Sequence, residues 1–137
     1  MALTKKQQLV TLLQSAIDYY RAGKLDQAID RLVRNAKDFP NAARLWGYLG
    51  FLYAEAGQDA KAIGAFSKAV TLSPHSEQAS LGLFHSLWRM GRTNAAFDEM
   101  RRFARSNDSP RYRALLRDML VEPPREATAQ ADVLVLA

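Results

Sequence analysis

The chain contains no cysteine, so disulfides and thiolate metal sites are excluded and the redox compartment leaves no trace in its composition. Histidine is nearly absent too. His75 and His85 stand ten residues apart without a paired acidic motif, a spacing that fits no zinc site. The seven glycines build no phosphate-cradling loop, and Ser67, Ser76 and Ser86 have no nucleophile-elbow context. No apolar run approaches transmembrane length. The stretch from Met1 to Gln8 is polar and lysine-bearing, and it lacks the continuous apolar core of a signal peptide. No strand-like alternation competes with the helical patterning. These absences set the expectation of a soluble, cytoplasmic, non-enzymatic protein without metal or cofactor.

What the chain does have is a period of 34 residues. Gly23, Gly57 and Gly91 fall in register, as do Ala28, Ala62 and Ala96. Ile29, Ile63 and Phe97 follow, then Leu32, Phe66 and Met100; Tyr19 and Tyr53 match Leu87. Pro40 and Pro74 close the first two units, and Pro110 comes two residues late in the third. A fixed period of this length marks stacked units that cannot bury their apolar faces alone. The pattern predicts helices over 5–21, 25–38, 43–56, 59–72, 77–90, 93–106 and 110–121. The last of these carries Tyr112, Leu115, Leu116, Met119 and Leu120 on one side, as a cap on the preceding hairpin requires.

From Ala43 to Ser76 the middle unit reads Trp46, Leu49-Gly50, Tyr53, Gly57, Ala62, Phe66, Ala69 and Pro74. This unit resembles a full tetratricopeptide repeat. The positions have physical reasons: Gly50 and Ala62 allow two helices to approach closely, Gly57 turns the chain, and Pro74 stops the second helix. The resemblance implies an all-α superhelix of three helical hairpins and a capping helix. Its expected extent is one domain over residues 1–122, with repeats at about 9–42, 43–76 and 77–110, a cap at 110–121, and a flexible tail over 123–137. The flanking units deviate. Leu12 replaces the tryptophan, Ser15 the leucine, and Asn35 a small apolar residue. In the third unit Phe84 stands where Gly50 does, a bulk expected to push the helices apart or to meet a smaller neighbour.

In such a stack the first helix of each hairpin lines the concave side. The resemblance then implies an inward set of Leu13, Ile17, Tyr20 and Arg21 in the first unit. In the second it implies Arg44, Phe51 and Glu55 with Gly47, and in the third Gln78, Leu81, His85, Trp88 and Arg89. Leu13, Ile17, Phe51, Leu81 and Trp88 form an apolar floor with arginines at its edge. Trp88 is singled out because it is not the packing tryptophan of the repeat, so it is expected in the groove rather than between hairpins. A protein or peptide with apolar and acidic side chains suits this surface. Relatives that hold the acidic C-termini of heat-shock chaperones use a lysine–arginine–asparagine clamp. Leu13, Ile17, Tyr48, Gln78 and Gly82 stand at those positions and cannot supply it.

The net charge is +5, with arginine concentrated at 89, 92, 101, 102, 105, 111, 113 and 117. The first reading is a chaperone or adaptor that binds a polypeptide; three repeats and a cap resemble, in size and plan, the repeat-type chaperones of bacterial type III secretion. Neutralisation of a partner, as by an immunity protein, and a scaffold role are alternatives. Nucleic-acid binding through the late arginines is a rival of another class, disfavoured because no recognised module or stacking aromatics accompany the charge. The apolar run Val133-Leu134-Val135-Leu136 raises a further possibility, self-association through the tail.

Overall fold

The computed structural model describes residues 2–121; the tail over 123–137, with its apolar run, and the suggested self-association lie outside them. Among the described residues seven α-helices follow one another: α1 (Lys5–Arg21), α2 (Leu25–Asn35), α3 (Ala43–Glu55), α4 (Asp59–Leu72), α5 (Glu77–Arg89), α6 (Thr93–Ala104) and α7 (Pro110–Val121). A 3-10 turn, Ala36–Asp38, extends α2, and no strand occurs among the described residues. The fold is the expected one: three antiparallel hairpins and a terminal helix.

Each hairpin turns by the same chemistry. Gly23, Gly57 and Gly91 have φ of 77°, 73° and 74°, a region open to glycine at little steric cost. Their N–H groups donate to Tyr20, Ala54 and Trp88, and the following residues, Lys24, Gln58 and Arg92, donate to Tyr19, Tyr53 and Leu87. This paired pattern satisfies the last carbonyls of α1, α3 and α5. The carbonyls of Lys24, Gln58 and Arg92 then accept from Ala28, Ala62 and Ala96, opening the next helix without a side-chain cap.

The apolar interior forms two clusters. Leu12, Leu13 and Ala16 of α1 meet Ala28 and Leu32 of α2 and Leu45, Leu49 and Leu52 of α3. The second gathers Phe66, Phe84, Phe97, Phe103, Tyr112 and Met119 from α4 to α7. Trp46 and Tyr53 pack against both, so the middle hairpin, where the repeat pattern is fullest, is the joint of the stack. Phe66 rests against two glycines. A Cβ on Gly50 would lie 2.8 Å from its ring, and one on Gly82 closer still.

The departures from the repeat pattern are each accommodated. Leu12 is buried in the tryptophan position, and Ser15 donates to the Leu12 carbonyl while accepting from Arg31. Asn35 donates to the Arg31 carbonyl at 2.7 Å where α2 gives way to the 3-10 turn. Phe84 is 1% exposed, and it meets other rings rather than a smaller neighbour: Phe97 at 5.6 Å, Tyr112 at 5.7 Å and Trp88 at 6.0 Å.

Ser80, in the tryptophan position of the third unit, leaves room for a buried polar network. Its hydroxyl donates to Glu99 Oε2 at 2.6 Å. With that single proton committed, Tyr112 OH, 2.7 Å away, donates to Ser80. Glu99 in turn accepts two hydrogen bonds from Arg102, whose third goes to the Pro74 carbonyl. Burial, reinforced by the Glu99 carboxylate, pushes the Tyr112 phenol well above its ordinary pKa, which keeps it a donor. The network ties α7 to α5 and α6.

Candidate functional site

A cleft of about 580 Å³ opens between α3 and α5. The helical period sets its walls, because Arg44, Gly47, Tyr48 and Phe51 recur on one face of α3, and Gln78, Leu81 and Gly82 on one face of α5. Phe66 and Ala69 of α4 form the floor, with Ser73 and Ser76 at one end. Gly47 and Gly82 remove side-chain volume from both walls, which leaves the aromatic faces of Phe51 and Tyr48 and the Leu81 side chain to define an apolar slot. Phe51 is 39% exposed, unusual for a phenylalanine, and its ring and that of Tyr20 meet in a T-shaped pair with centroids 5.2 Å apart. Tyr20 thus extends the slot toward α1.

Two arginines edge the cleft, Arg44 from α3 and Arg111 from the capping helix α7. Among the described residues no carboxylate lines it. Arg44 makes no ion pair among the described residues, whereas Arg111 lies 3.3 Å from Glu77.

The structure brings together Arg44, Phe51, Gln78 and Leu81 of the expected set, with Tyr20 beside them. The others lie elsewhere. Leu13 is 2% exposed and belongs to the core of the first hairpin, so its place on the groove floor is corrected: it supports α1 from within. Ile17 is half-buried, and Arg21 and Glu55 are exposed away from the cleft. Trp88 requires the plainest correction. Its ring stacks on Phe84 and meets Phe97 edge-on at 5.8 Å, so it packs on the core of the third hairpin rather than pointing free of it. Its neighbour Arg89 binds Asp59 at 2.9 Å, joining α5 to α4. His85 stands edge-on to Phe84 at 5.6 Å; partial burial, with the nearby Arg89 charge, lowers its pKa below the ordinary histidine value. It is therefore a neutral ring near pH 7, outside the cleft.

Sequence reasoning missed Arg111 as a groove residue because the groove was built from the first helices of the hairpins only. In the sequence Phe66 stands out only as a position of the repeat pattern, and Tyr48 and Gly82 only as positions where a clamp is lacking. Among the described residues no group of three His, Asp or Glu side chains could hold a metal ion, and no helix is long and apolar enough to cross a membrane.

The geometry agrees with what the chain is similar to. The tetratricopeptide repeat family model matches residues 13–77, the first and middle units. No curated protein matches. Among solved structures, the Yersinia enterocolitica type III secretion chaperone SycD, in complex with a peptide of the translocator YopD, is 17% identical with a TM-score of 0.69; the alignment covers 94% of this chain and 91% of that one. The second repeat domain of Spaghetti, bound to an HSP90 peptide, is 18% identical at a TM-score of 0.67, over 74% of this chain and 94% of that one. A crystal structure of MamA is 26% identical at a TM-score of 0.63, over 67% and 54% of the two chains.

Proposed function

Since the chain belongs to the tetratricopeptide repeat family, we propose that it is a protein-interaction module whose cleft between α3 and α5 takes up a polypeptide segment. The observation that carries this reading is the exposed Phe51 in a slot cleared by Gly47 and Gly82. An apolar surface of this kind, edged by cations and free of carboxylates, favours a segment with apolar side chains and at least one acidic one. Tyr20, Arg44, Phe51, Gln78 and Leu81 are its contact residues, within a single repeat domain that ends with α7. Two structurally similar proteins, SycD and Spaghetti, are bound to peptides, which supports the same class of ligand here. The missing lysine–arginine–asparagine clamp favours a chaperone or adaptor role other than the capture of heat-shock C-termini.

Nucleic-acid binding is the weaker alternative. Arg89, Arg101, Arg102, Arg111 and Arg113 each pair with a carboxylate of the chain itself, so most of the late arginine charge is already compensated.

Panning a displayed library of random peptides on the full chain tests the reading. Peptides enriched on the native protein and lost on a Phe51→Asp, Leu81→Asp variant of unchanged helicity support the cleft. Equal enrichment on both proteins, or none, overturns it.

A further inference from the structure

We propose that Arg111, carried by the capping helix, is a specificity-determining residue of the cleft. It selects partner segments bearing an Asp or Glu beside their apolar side chains, and it does so by giving up its internal partner Glu77 for the incoming carboxylate. This rests on the cleft reading above and adds to it a named selector and an internal competitor.

Among the described residues Arg111 is the only one of α7 that lines the cleft. Its backbone is held from both sides in sequence. Ser109 caps α7 by accepting from the Tyr112 N–H at 3.1 Å, and Tyr112 is buried and bonded to Ser80. Leu115 and Leu116 pack on the core one turn further on. The guanidinium is therefore delivered from an anchored helix, so little backbone ordering remains to oppose a ligand contact.

The Glu77–Arg111 pair is built to exchange. It is a contact at 3.3 Å, with the Arg111 side chain 60% exposed and Glu77 28%, and pairs this exposed contribute little. Glu77 does not depend on Arg111 alone, since its Oε2 accepts from Ser109 at 2.8 Å. When Arg111 turns to a ligand, Glu77 keeps that bond. Arg102 offers the contrast: it makes two hydrogen bonds to the buried Glu99 and a third to Pro74, so it is not free to exchange. Arg44, on the opposite wall, gives the second cation without a competitor among the described residues. A partner carboxylate that enters the cleft thus meets two guanidinium groups, and the Glu77 carboxylate beside Arg111 is the like charge it competes with.

The probe is a peptide enriched in the panning above that carries an acidic residue, compared with the same peptide carrying Gln or Asn there. Fluorescence anisotropy against the full chain should find Arg111→Gln weakening the acidic peptide about tenfold, as loss of a charged hydrogen bond does, with the amide peptide changed less than about twofold. Glu77→Gln keeps an acceptor for Ser109 but removes the competing charge, and it should tighten the acidic peptide several-fold (on the order of a released surface pair) without touching the amide one. Arg111→Lys should restore part of the difference. The proposal is overturned if Arg111→Gln weakens both peptides equally, if Glu77→Gln weakens the acidic one, or if enriched peptides carry no acidic residue. Each of those results leaves the cleft itself intact, whereas indifference to the Phe51 and Leu81 changes removes the cleft.

Discussion

Replacing Gly82 by alanine sets two opposed effects against each other in one helix. Alanine is favoured over glycine within a helix by about 1 kcal/mol, so an unobstructed exchange stabilises. At Gly82 the added methyl would fall inside contact distance of the Phe66 ring. That ring is 6% exposed and also touches Gly50, where a Cβ would stand at 2.8 Å, so it has little room to move aside. Overpacking of this kind costs about 1–3 kcal/mol; subtracting the helix gain of about 1 leaves a net loss of about 0–2 kcal/mol, toward the upper end because the ring cannot move aside. Gly64, in the interior of α4, is the control. It is exposed, and nothing lies within 4 Å of a Cβ built there, so Gly64→Ala should gain about 0.5–1 kcal/mol. Urea or thermal unfolding of the two variants, at roughly 4 °C per kcal/mol for a chain of this size, should move in opposite directions. A double variant with Phe66→Leu should recover part of the Gly82→Ala loss through a coupling term. If Gly82→Ala stabilises as Gly64→Ala does, the close approach of α5 to Phe66 is wrong, and so is the account of the cleft floor.

Trp88→Ala should destabilise by about 2 kcal/mol, below the ~3–5 kcal/mol of a fully buried aromatic deletion because the ring is half-buried, while binding in the cleft is unchanged; an unaltered melting curve would return this residue to the surface. His85 has a folded pKa below its unfolded value, so its contribution to stability is complete above the ordinary histidine pKa and lost as pH falls toward the folded one. His85→Gln should flatten that part of a pH–stability curve, and an identical curve for the variant refutes the assignment. Tyr112 has the opposite sign: its raised pKa stabilises fully below about pH 10, the ordinary tyrosine value, and the benefit falls as pH rises beyond that. Tyr112→Phe should remove this alkaline dependence and cost about 1–2 kcal/mol at neutral pH, because Ser80 loses its donor; an unchanged alkaline limb would show that α7 is held by its apolar side chains alone.

The architecture was legible because the turns write it directly into the chain. Gly23, Gly57 and Gly91 each occupy a left-handed position that few other residues adopt, so their spacing is the spacing of the hairpins. The site was legible only in part. Helical periodicity assigns a residue to a face, yet Leu13 and Trp88 lie at the margins of theirs, and there the neighbouring helix decides between groove and core. Gly82 is out of phase with the turn glycines and carries no signal of its own until Phe66 is seen against it. Arg111 looked like one of many late arginines. What distinguishes it is the return of α7 past the end of α5, a tertiary contact that no local pattern encodes.

The bonds between hairpins are unevenly distributed, and this bears on how the stack comes apart. Beyond the middle hairpin the joints are stitched by polar contacts: Arg89 to Asp59, Arg102 to Pro74, His75 to Asn107, Tyr112 to Ser80 and Ser109 to Glu77. Between the first hairpin and the rest, the one side-chain hydrogen bond among the described residues runs from Trp46 to the Pro40 carbonyl at 3.3 Å. In a linear array each interface opens nearly on its own terms. Heat or force should therefore peel α1 and α2 away first, with amide exchange fastest there, while α4 to α7 stay closed as a block. The cleft lies at the edge of that block, between α3 and α5, and Tyr20 reaches it from the looser end, so the extension of the slot toward α1 can yield while its two walls stay set.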